Sequence, residues 1–131
     1  MSAEQALTLV KLAHTAVWAV MAATILALPV AALCGRFRLA GWLTALIAAE
    51  CIALALNGGR CPLTDLAARF TTDRAANFDI YLPQWLAQHN KTIFGALFGV
   101  GELVWLWRWV AREATSSAGS AARKKNGVTV E

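Results

Sequence analysis

Charge is scarce in this chain. Of 131 residues only 15% are Asp, Glu, Lys or Arg, while 58% are hydrophobic. Soluble domains run nearer a quarter charged, so the deficit argues against a water-soluble globule. Signatures of chemistry are scarcer still. The three cysteines contain no C-x-x-C pair, which argues against thioredoxin-type disulfide exchange within one chain. No H-x-x-x-H spacing, cysteine pair or acidic cluster offers a metal site. Phosphate-binding loops of the G-x-x-x-x-G-K type and G-x-S-x-G elbows are missing. No basic stripe with interleaved aromatics marks a nucleic-acid surface. There is no internal repeat.

What the chain has instead is long apolar runs. A helical span needs roughly 20 apolar residues to cross about 30 Å of hydrocarbon. "LVKLAHTAVWAVMAATILALPVAAL" (9–33) supplies one span, with His14 its only ionisable group after Lys11. "LAGWLTALIAAECIALALN" (39–57) supplies a second, interrupted by Glu50. "TIFGALFGVGELVWLW" carries Glu102 and gains length from "PQWLAQHNK" before it, giving a third span at about 88–110. Pro83 suits a helix start, and a helix from there to about Arg112 would be roughly 45 Å long, enough to protrude from the bilayer. The first run exceeds the 7–15 apolar residues of a signal peptide and reads as a retained span. The expected fold is an all-α integral membrane helical bundle: three transmembrane helices plus a short interfacial helix. It occupies residues 1–113, with a cap at 58–87 and a disordered polar and basic tail at 114–131.

Lys and Arg set the expected orientation. Arg36, Arg38, Arg108, Arg112, Arg123, Lys124 and Lys125 fall on one side, and Lys11, Arg60, Arg69, Arg74 and Lys91 on the other. That bias places the C-terminus in the cytoplasm, and the N-terminus and residues 58–91 outside a plasma membrane. Trp42, Trp105, Trp107 and Trp109 then form an aromatic belt at the cytoplasmic interface.

The segment after the second span is too long for a bare loop. Pro62 suits a first helical position with Cys61 as cap residue, and Asp65 complements the helix dipole. Leu63, Leu66, Ala67 and Phe70 give that helix an apolar face. "CPLTDLAARF", the Tyr81-Leu82 pair and His14 together resemble a family of small bacterial multi-span membrane proteins of unknown function with a Cys-Pro-Leu-Thr signature. Leu66-Ala67-Ala68-Arg69 stands where that family has a Glu. The resemblance implies a shared fold and supplies no activity.

Few residues are candidates for chemistry. Carboxylates in spans face a bundle interior and take a partner. Glu50 and His14 lie at comparable depth from the same side, so they form a candidate buried pair, either a packing pin or a proton or ligand site. Gly95, Gly99 and Glu102 share a helical stripe whose Gly-x-x-x-Gly spacing permits close helix contact, within the bundle or with a partner or second copy. Cys61, between Arg60 and Pro62, combines two features that lower a thiol pKa, and is a cap, a metal or haem ligand, or a reactive thiol. His89 reads as an interfacial anchor. His14 and His89 could together ligate haem, with Cys61 as a further ligand; no cofactor is otherwise indicated. The expected role is a non-catalytic accessory or interaction subunit of a membrane complex. A haem- or metal-binding redox protein is the alternative.

Overall fold

A computed structural model describes residues 1–127. Four helices follow in order: α1 (Ala3–Leu33), α2 (Phe37–Leu56), α3 (Pro62–Ala67) and α4 (Gln84–Asn126), and no strand occurs among the described residues. Three of them, α1, α2 and α4, are long and apolar enough to cross a membrane. At 1.5 Å per residue, α2 spans about 30 Å, while α1 and α4 reach about 46 and 65 Å. The second helix therefore matches the hydrocarbon thickness and the other two extend past it. The molecule is an all-helical bundle of three such helices with one short helix at its side.

Local chemistry explains each boundary. Ser2 and Gln5 form a reciprocal capping box: the Gln5 amide donates to Ser2 Oγ at 3.2 Å, and the Ser2 amide to Gln5 Oε1 at 2.9 Å. That box starts α1 six residues before the apolar run expected from Leu9. At the other end Gly35, at φ +73°, lets its own amide reach Ala32 O and the Arg36 amide reach Ala31 O. Gly58, at φ +67°, ends α2 in the same way, with the Gly58 and Gly59 amides on Ala55 O and Leu54 O. Both ends satisfy helix carbonyls that would otherwise face lipid unpaired.

The last helix corrects the expected tail. Residues 114–126, read above as irregular, continue α4 without a break. Their Ser and Gly content suggested disorder, but alanines favour the helix, and Arg123, Lys124 and Lys125 in its last turn complement the dipole. The remainder of that tail, 128–131, lies outside the described residues.

The first helix is the hub, packing against each of the other three. Leu28 is fully buried and, with Ala31 and Ala40, forms the core on which Leu43, Phe98 and Trp105 rest. Trp105 therefore leaves the expected aromatic belt, whereas Trp42, Trp107 and Trp109 are exposed as a belt requires. Close approach of α1 and α4 uses Gly101: a Cβ there would sit 3.0 Å from Leu28 Cδ2 and 3.3 Å from Pro29 Cδ. Gly95 and Gly99, the expected contact pair, have nothing within 4 Å of such a Cβ.

A Gly101→Leu substitution is therefore expected to destabilise the bundle by about 1–3 kcal/mol through overpacking. The same change at Gly99 leaves stability unchanged, as read by denaturant unfolding in mild detergent.

Candidate functional site

The polar residues converge at one end of the bundle, where α3 and residues 68–83 fold over the helices. The turn leading in is held by Asn57, whose Nδ2 donates to Arg60 O and Asp65 Oδ2, both at 2.8 Å. Arg60 Nε lies 3.2 Å from Asp65 Oδ1. Beyond α3, Thr71 Oγ1 accepts from the Asp73 amide and Asp73 Oδ1 from the Ala75 amide. Such side-chain turns compact a segment that has no helix or strand of its own. Asn77 Nδ2 then reaches Leu82 O at 2.9 Å.

This cap is fastened to α1. The Tyr81 amide donates to Thr15 Oγ1 at 3.0 Å, and Lys11 Nζ lies 4.5 Å from the centre of the Tyr81 ring. The main fastening is Asp79, which is only 5% exposed. His14 Nδ1 sits 3.2 Å from Asp79 Oδ2 and 3.2 Å from the Asp79 carbonyl oxygen. Both atoms accept hydrogen bonds, so the network assigns a proton to Nδ1. The Thr64 hydroxyl donates to the same Oδ2. Burial disfavours the charged carboxylate, but hydrogen bonds from His14 and Thr64 outweigh it and hold Asp79 below the usual carboxyl range. The arrangement lacks the nucleophile of a hydrolytic triad, because the Thr64 hydroxyl is turned to the carboxylate and not to the imidazole.

Beneath the cap lies a cavity of about 690 Å³, within the size range of sites for drug-sized ligands. Val17, Met21, Ile25, Ile47, Phe94 and Phe98 make its apolar walls, on α1, α2 and α4. His14, Glu50, Arg60, Cys61, Thr64, Arg74, Asp79, Gln88, Asn90 and Lys91 contribute its polar part. Contacts between α2 and α4 include a set at the end away from the cap. There the Thr44 hydroxyl donates to Glu102 Oε1 at 2.6 Å, and Trp105 covers Gly41. Towards the cap, Trp18 steadies one wall of the cavity by donating from Nε1 to Asn90 Oδ1 at 2.7 Å.

The expected site residues fare unequally. His14 and Glu50 do line one cavity, but His14 pairs with Asp79, and Glu50 makes no hydrogen bond or ion pair among the described residues. Asp79 is 65 positions from His14, inside an irregular segment, so no periodicity signals the pairing. Glu102 takes Thr44 as partner and is separate from the cavity, which Gly95 lines. Cys61 occupies the cap position before Pro62 without using its side chain as a cap. Burial pushes its thiol up, with the nearby Glu50 charge adding to that, which overturns the expected activation by Arg60 and the helix start. His89 is exposed, with Nδ1 on the Trp85 carbonyl at 2.9 Å, and does not line the cavity that holds His14. His14 and His89 therefore do not line the same cavity, and no group of three potential metal ligands occurs among the described residues. The chain matches no family model, no curated protein and no solved structure.

Removing His14 strands a buried carboxylate, so His14→Ala is expected to cost about 3 kcal/mol at neutral pH. Because Asp79 is more acidic folded than unfolded, its contribution is complete above about pH 4 and disappears as pH falls through its lowered value. The stability gap between wild type and His14→Ala should close over that acid range in detergent melting curves. A gap independent of pH would contradict the assignment.

Proposed function

We propose that this chain is a non-catalytic membrane protein that holds a membrane-derived amphiphile in the cavity beneath its cap. The observation that carries this reading is the graded lining of that single space, apolar between the helices and polar under the cap. Amphiphiles partition in the same sense, apolar tail in hydrocarbon and head at the interface. A non-catalytic role is supported by the two groups nearest to reactivity: the imidazole is engaged by Asp79, and the Cys61 thiol is held protonated by burial.

Under this proposal the cap faces outward from a bacterial plasma membrane and the C-terminus lies in the cytoplasm, as the Lys and Arg distribution supports. The Cys-Pro-Leu-Thr element supports kinship with the small multi-span family that it resembles. A second role, as an accessory subunit docking to a partner helix or a second copy, is favoured by the empty space over Gly99.

Purification in mild non-ionic detergent, followed by extraction and mass spectrometry, tests the cavity reading. About one amphiphile per chain should co-purify, consistent with one pocket of this size. Gly95→Phe, which adds bulk at a cavity-lining position whose Cβ would have nothing within 4 Å, should abolish retention while the melting temperature is unchanged. Absence of any bound amphiphile in the wild type would refute the proposal.

A further inference from the structure

We propose, building on the cavity reading above, that the occupant is a single-chain amphiphile with an anionic head, a phosphate monoester or carboxylate, read by Arg74 and Lys91 at the cavity mouth.

The inference starts from which charges are already answered. Arg60 is matched by Asp65, and His14 by Asp79. Arg74 and Lys91 line the same cavity, yet neither has a carboxylate partner among the described residues. Their protein contacts are neutral. Arg74 is held by the carbonyls of Thr71 and Asp73, at 2.8 and 2.6 Å, and lies 5.3 Å from the centre of the Phe78 ring. Lys91 Nζ donates to the Gly59 carbonyl. These contacts fix the two cations in place without neutralising them, which is the arrangement that favours an incoming anion.

The uncharged donors agree. Asn90 spends its oxygen on Trp18, and neither its Nδ2 nor the Gln88 side-chain amide has a hydrogen-bond partner among the described residues. The polar part of the cavity is therefore rich in unused N–H groups. The one cavity carboxyl without a hydrogen-bond partner among the described residues is Glu50, seven residues before Asn57 and so about 10 Å down α2 from the mouth. Arg74 and Lys91 stand above that depth, at the mouth, where an anionic head meets N–H donors. The apolar space below then receives the tail, and about 690 Å³ suits one chain in the size class of a drug-sized ligand.

Binding of four probes to the full chain in dodecyl maltoside, measured by native mass spectrometry, tests this. The probes are oleoyl lysophosphatidate, oleoyl lysophosphatidylcholine, monoolein and oleylamine, with inorganic phosphate as competitor. Lysophosphatidate should bind at least about tenfold more tightly than monoolein, a difference expected for charge-assisted hydrogen bonds. The Arg74→Gln, Lys91→Gln double variant should bring it within about threefold of monoolein, whose own binding is unaltered, while Lys91→Arg keeps the preference. Equal binding of all four probes would overturn the anionic head and leave the cavity reading intact. Failure of every probe would overturn both. Tighter binding of oleylamine would assign recognition to Glu50 and refute the proposal, as would displacement of lysophosphatidate by millimolar inorganic phosphate, which would make free phosphate the ligand.

Discussion

A single buried carboxylate organises this protein. Asp79 belongs to a segment with neither helix nor strand, and its burial is made tolerable chiefly by a pair of donors waiting for it. His14 comes from α1 and Thr64 from α3, and both reach the same oxygen. An unpaired carboxylate in an apolar setting costs several kcal/mol, so the three groups assemble together or not at all. Their meeting point fixes the cap against α1, over one end of the cavity between the long helices.

The gap itself comes from an asymmetry along the helices. At the far end Gly101 admits Leu28, Trp105 lies over Gly41, and Thr44 bonds Glu102. These contacts bring the three long helices together there. Nearer the cap, Ile47, Glu50 and Leu54 on α2 and Phe94 and Phe98 on α4 line one cavity. Bulky side chains with open room between them would leave a void in a water-soluble core; in a bilayer such a space is accessible to lipid-like molecules. The cap closes its top with polar groups, and the polarity gradient follows from where each element ends.

Much of the architecture was legible from the sequence because it depends on local signals. Apolar runs gave three helices long and apolar enough to span a membrane, and Pro62 gave the start of the short helix. The capping box at Ser2 and Gln5 is equally local, and its four-residue pattern was the available clue to a helix that starts at Ala3. The site was only half legible. His14 and Glu50 do share a cavity, as their common depth suggested, but the true partner of His14 is a loop aspartate whose position depends on the path of the whole 68–83 segment. Gly101 illustrates the same limit. Three glycines recur within seven residues, and which one meets a neighbour depends on helix rotation, which composition does not encode. The C-terminal helix was missed for another reason: serine and glycine argued for disorder, while alanine content and the basic last turn favoured the helix.

Hydrogen exchange of the cap reports most directly on the central claim. The Tyr81 amide donates to Thr15 across the cap–α1 contact, so its protection measures whether the cap is closed. In the wild-type chain in detergent, the 78–82 amides should exchange slowly, and His14→Ala should accelerate them at least about tenfold while α2 amides keep their wild-type rates. Free exchange of those cap amides in the wild type, or rates unaffected by loss of His14, would contradict the account.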